Sequence, residues 1–112
     1  MAEQYEVKLT RRAKRDLDGI LHYLLTNHSE QAASNTFKTL TDTIQSLSKM
    51  PMRHPRYVKT SDQLPEEIRW VISKKVYKLF FTIEEADKDV LVLRIQHIKI
   101  SPYAILKSLE EE

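Results

Sequence analysis

The residues of this chain best suited to chemistry are cations. The stretch 51–80 holds Arg53, Arg56, Lys59, Arg69, Lys74, Lys75 and Lys78 against three acids, a local balance of +4. Residues 1–50 stand at +1 and residues 81–112 at −3, so a protein of net charge +2 has a basic middle. Clustered cations attract polyanions or acidic partner segments, and the plainer alternative is a solvated strand face. Other chemistries are excluded by composition. There is no cysteine, which removes thiolate nucleophiles, disulfides and thiolate zinc sites. The single glycine, Gly19, cannot build a glycine-rich phosphate cradle. His22, His28 and His54 have no partner at metal-ligand spacing, and His22 and His28 point to different faces of a helix. Neither a metal nor a cofactor is expected.

These cations must be positioned by a single domain spanning residues 1–112, since 112 residues leave no room for a second core. A composition of 41% hydrophobic and 30% charged residues is that of a globular protein. The start, MAEQYEVKLT, has no signal-peptide core, and no apolar run reaches membrane-spanning length. The expectation is a soluble protein of a reducing, cytoplasmic compartment with no membrane contact.

Hydrophobic periodicity supplies the elements. Tyr5, Val7 and Leu9 alternate with charges and predict a short strand. Thr10 is placed to cap a helix whose face is Ala13, Leu17, Ile20, Leu21 and Leu24, ending near Asn27. Ser29 then caps a second helix with Ala33, Phe37, Leu40, Ile44 and Leu47 on its buried face. The short link between them predicts an antiparallel hairpin. Pro51, Pro55 and Pro65 mark an irregular connector. Beyond it the period becomes two, predicting strands over 68–73, 76–83 and 90–97, joined as a meander by the turns Lys74-Lys75 and 85–89. Ser101-Pro102 predicts the start of a short terminal helix running to about Leu109. The fold class is α+β in two layers: a helical hairpin packed on one face of a small, mainly antiparallel sheet.

Strand alternation sorts the faces. Tyr77, Leu79, Phe81 and Ile83 should face the helices, sending Lys78 and Phe80 to the open side. Ile68, Trp70 and Ile72 are expected inward and Arg69 outward. The third strand offers two similar sets, Leu91, Leu93, Ile95, His97 and Val90, Val92, Arg94, Gln96, and the pattern does not choose between them. A cationic cluster beside an exposed aromatic ring would suit a phosphate and a stacked base.

The element order, the opening Val7-x-Leu9-Thr10-x-x-Ala13-x-x-Asp16-Leu17, the stretch Met50-Pro51-x-x-His54-Pro55-Arg56 and the hairpin Arg69…Tyr77-Lys78-Leu79-Phe80-Phe81 resemble the RelE/ParE superfamily over roughly residues 5–103. These are the toxins of bacterial type II toxin–antitoxin, or plasmid-stabilisation, modules. The resemblance implies growth inhibition, neutralised by a cognate antitoxin protein. It also implies one of two targets: DNA gyrase, poisoned by ParE-type members, or the ribosome and its mRNA, cut without metal by RelE-type mRNA interferases. A degenerate, non-toxic member that only binds its antitoxin is the remaining alternative.

Metal-free cleavage through the 2′-hydroxyl needs a proton acceptor, positive charge on the phosphorane and a proton donor for the leaving oxygen. By resemblance, Arg69 matches a basic family position, and Lys78 stands where the family has an arginine, losing bidentate phosphate geometry. His97 falls where some members place the residue of proton transfer, and an unperturbed imidazole titrates at about 6.5, near neutrality. Lys99 and Tyr103 would complete the cluster. The hairpin Asp16-Leu17…Ile20…Tyr23 followed by Ala32-Ala33, and the connector Met50-Pro51…Pro55-Arg56, are closer to the ParE branch.

Overall fold

Thr10 and Ser29 start the two helices as their hydroxyls predict. In the computed structural model, which describes residues 4–56 and 67–100, Thr10 Oγ1 accepts the amide of Ala13 and Ser29 Oγ that of Ala32, both at 3.0 Å. Helix α1 spans Arg11–Asn27 and α2 spans Glu30–Ser46. They follow strand β1 (Glu6–Leu9) and precede a single 3-10 turn at Pro51–Arg53. Strands β2 (Arg69–Ser73), β3 (Tyr77–Glu84) and β4 (Asp89–His97) complete the described chain. The terminal helix expected from Pro102 lies outside the described residues.

The sheet order is β1-β4-β3-β2. The last three strands form the expected antiparallel meander, while β1 runs parallel to β4, from Glu6 opposite Asp89 to Leu9 opposite Val92. Parallel strands need a long crossover, and here the helical hairpin with β2 and β3 supplies it. The core lies between sheet and helices: Ala13, Leu40, Ile44 and Leu47 meet Leu79, Phe81, Val90, Val92 and Ile95. Phe37 departs from expectation. It is 46% exposed, outside the stripe that Ala33, Leu40 and Ile44 bury.

Two shifts of register decide which side chains share a face. The β2–β3 connection is three residues, not the expected two, so Ser73 pairs with Tyr77 and Ile72 with Lys78. A one-residue slip sends every side chain of a strand to the other face. Val71 therefore packs on the core, Ser73 hydrogen-bonds Thr43 of α2 at 2.7 Å, and Ile72 is 45% exposed. Arg69, expected outward, is on the helix side, and Trp70 is on the opposite one. The second shift is in β4. Phe80 pairs with Arg94 and Phe81 with Val92, leaving Leu93 as a bulge. Val90 and Val92 face the helices before it and Ile95 after it, so both candidate sets are right for half the strand.

The bulge is also where β1 gives way to α1. Thr10 donates its amide to Val92 O at 3.0 Å and its hydroxyl to Leu93 O at 3.0 Å. Beyond Leu93 no strand among the described residues lies beside this edge of β4, and Asp16 of α1 takes that place. Its carboxylate accepts the Ile95 amide (2.9 Å), Arg94 Nε (2.8 Å) and Nη2 (3.1 Å), and Gln96 Nε2 (2.9 Å). The Asp16 and Arg94 side chains are only 11% and 13% exposed. Removing one partner of a buried ion pair leaves the other charge desolvated. Asp16→Ala should therefore lower the unfolding free energy by about 3 kcal/mol or more in denaturant titrations. A loss below about 1 kcal/mol, the level of an exposed ion pair, would mean that this clasp is peripheral.

Candidate functional site

The residues expected to form one cationic patch lie on both faces of the sheet. Arg69 closes the start of β2 against the connector, donating Nη1 to His54 O at 2.7 Å and Met52 O at 3.1 Å. Its Nη2 is 3.7 Å from Glu67, and the side chain is 14% exposed. Trp70 N–H to Pro55 O at 3.1 Å and a bridge between Arg56 and Arg69 continue this seam. Arg69 thus holds the connector to the sheet through Nη1, while its buried Nε has no hydrogen-bond partner among the described residues.

Lys78 does point away from the helices, as expected, but its aromatic neighbour is Trp70, whose ring centroid lies 4.6 Å from the ammonium. Phe80, expected to be exposed beside it, is fully buried. His97 stands opposite Tyr77 on the helix side, the two rings packed edge-on at 5.8 Å. Its Nδ1 accepts the Lys99 amide at 3.1 Å, which leaves the proton of the neutral ring on Nε2. Lys99 is exposed in the turn after β4, and Tyr103 lies outside the described residues.

The structure therefore brings His97 and Lys99 together but separates Arg69, Lys78 and His97. Arg69 pairs with Phe81 and His97 with Tyr77, four positions apart along β3 or roughly 13 Å at about 3.3 Å per residue. Lys78 is on the reverse face. General acid–base groups must come within about 3.2 Å of the protons they move, so these three do not assemble around one phosphodiester.

What the helix side offers instead is a cleft of about 610 Å³ between α1 and the end of the sheet. Ile20, Tyr23 and Leu24 form one wall, Tyr77, Ile95 and His97 the other. Gly19 lines it too, and a Cβ there would meet nothing within 4 Å. Burial and then the neighbouring Tyr23 push the Tyr77 hydroxyl above its ordinary pKa, so it stays a neutral donor. This is a predominantly apolar recess with a few hydrogen-bonding groups, the make-up of a binding surface. Among the described residues no three His, Asp or Glu side chains come together as a metal site. Sequence reasoning did not single out this cleft. The signal available for it was Tyr23, three residues beyond Ile20 on the apolar stripe of α1.

The chain matches, over residues 7–102, the family described as ParE toxin of type II toxin-antitoxin system, parDE, and it belongs to that family. Its fold is similar to a chain of the chromosomal ParDE system from P. aeruginosa, with TM-score 0.68 and 16% identity over 86% of this chain and 98% of that one. It is also similar to a chain of the RelBE2 toxin–antitoxin complex from Mycobacterium tuberculosis (0.55, 19%, 84% and 91%) and of the RelE–RelB complex from Pyrococcus horikoshii OT3 (0.53, 12%, 88% and 99%). Among curated proteins none matches the sequence. The fold class is thus the expected one, a helical hairpin on a small sheet of RelE/ParE type.

The Arg69 seam makes stability depend on pH. His54 packs edge-on against Phe81 at 5.8 Å, and its buried Nε2 has no hydrogen-bond partner among the described residues. Burial, then Arg53, then Arg69 lower its pKa from 6.5. A group whose pKa falls on folding binds more protons unfolded, so its contribution is present above pH 6.5 and is lost as the pH drops toward the folded value. Unfolding titrations at descending pH should show stability falling below pH 6.5, and His54→Gln should flatten that fall. Identical pH dependence in the two proteins would contradict the assignment.

Proposed function

We propose that this member of the ParE toxin family is the growth-inhibiting half of a toxin–antitoxin pair and that it acts by binding, with DNA gyrase as its target. The observation that carries the choice is the distribution of Arg69, Lys78 and His97. Arg69 is engaged by two backbone carbonyls, Lys78 lies on the other face, and His97 opens onto a cleft to which neither contributes, its lining cation being Arg15 at the rim of α1. That distribution supports inhibition through a surface over cleavage of RNA. Similarity to chains from systems that pair a toxin with an antitoxin supports an antitoxin partner.

The test is induction of the protein without an antitoxin, together with purified components. Growth arrest, inhibition of gyrase supercoiling and intact mRNA are expected, and Arg69→Lys should retain arrest wherever the variant folds. Cleavage of mRNA in a translation extract, with supercoiling unaffected, would overturn the gyrase reading in favour of a ribosome-dependent endoribonuclease. Absence of any growth defect would leave a non-toxic, antitoxin-binding module.

A further inference from the structure

The basic middle of the sequence splits in space into two groups with different fates. Arg56 and Arg69 are at one end of β2 and both face Glu67, at 3.3 and 3.7 Å. At the other end, the turn Ser73–Val76 carries Lys74 and Lys75, with Lys78 three residues on. Lys99 joins them across the sheet, because Ile98 donates its amide to Val76 O at 2.8 Å. None of these four lysines makes an ion pair with a described residue; the same is true of Lys14 and Lys49, and what sets the four apart is that they stand together at one end of the sheet. The acids gather at the far end of the β3–β4 hairpin, at Glu84, Glu85, Asp87 and Asp89, roughly 23 Å away at about 3.3 Å per residue of β3. The sheet is therefore charged in opposite senses at its two ends.

A second observation concerns the turn itself. Val76 N–H closes it onto Ser73 O at 3.1 Å, and both central residues lie in the left-handed region, Lys74 at φ 54° and Lys75 at φ 61°. Such a turn favours Asn-Gly, because a side chain in that region clashes with its own backbone. Two successive lysines keep a conformation that costs stability, and no hydrogen bond or ion pair of either side chain with a described residue offsets it. Uncompensated strain of this kind concentrates where residues are retained for contact with something else.

We propose that this lysine-bearing end of the sheet docks on the phosphodiester backbone of duplex DNA. The four ammonium groups are exposed or half-exposed, and Lys78 is held in position by Trp70. An exposed lysine–carboxylate pair contributes little in water, so an acidic protein segment would gain little from them. A duplex gains more, because each neutralised phosphate releases condensed counterions. The acidic far end orients the approach, repelled as the basic end is drawn in. This docking does not depend on which target the toxin inhibits.

The experiment is fluorescence anisotropy of the full chain with a labelled 20-base-pair duplex between 50 and 200 mM KCl. Four phosphate contacts predict a slope of log affinity against log salt of about −3.6, and Lys74→Asn/Lys75→Gly should bring it to about −1.8. The same double variant should have a higher Tm, since it suits the turn better. Weaker DNA binding in a more stable protein is therefore the expected signature. An unchanged salt slope in the double variant would overturn the proposal. So would equal affinity for poly-glutamate, which would assign this end to an acidic protein.

Discussion

The carboxylate of Asp16 is the contact on which the arrangement of this molecule depends. A short β1 pairs with β4 only as far as Val92, and beyond the bulge at Leu93 no strand among the described residues lies along that edge. An open edge carries unpaired backbone groups that must be satisfied. Asp16 accepts the Ile95 amide directly and at the same time binds the side chains on either side of it, Arg94 and Gln96. One acidic residue of α1 thereby does the work of a neighbouring strand at this point and fixes the helix alongside the sheet. The cleft opens beyond this point, bounded by Ile20, Tyr23 and Leu24 on the helix and Tyr77 and His97 on the strands.

Much of this was legible in the residue pattern. Both N-caps, both helices and the three-strand meander follow from hydroxyls, periodicity and turn residues. The phase of β2 was not, because Ile68, Trp70 and Ile72 form the more apolar set, against Arg69, Val71 and Ser73, and alternation alone favours burying them. A three-residue connection, invisible to alternation, chose Val71 and turned Arg69 to the helix side. In β4 the extra residue is Leu93, as apolar as its neighbours, so nothing in the pattern announces the change of phase. Asp16 was recognisable as part of a motif beside Leu17, yet its role comes from partners about eighty positions away. The candidate site suffered for the same reason: Lys78 was placed on the correct face, while Arg69 and His97 were not joined to it.

The resulting picture has three separate regions. Arg69 and His54 tie the connector to the sheet, the α1 cleft with Tyr77 and His97 is the recess available to a partner, and the lysines of the β2–β3 turn form a charged end. Membership in the ParE toxin family accounts for the fold that holds them. Likeness of fold leaves the chemistry to the side chains. Among the described residues, Arg69, Lys78 and His97 do not converge on one reacting atom.

Whether Asp16 completes the β4 edge can be read from native-state hydrogen exchange at the Ile95 amide. This amide should exchange as slowly as those of core β3 residues, through global unfolding, and Asp16→Ala should speed it selectively relative to them. Exchange of the Ile95 amide in the unsubstituted protein at the rate of an exposed loop would contradict it.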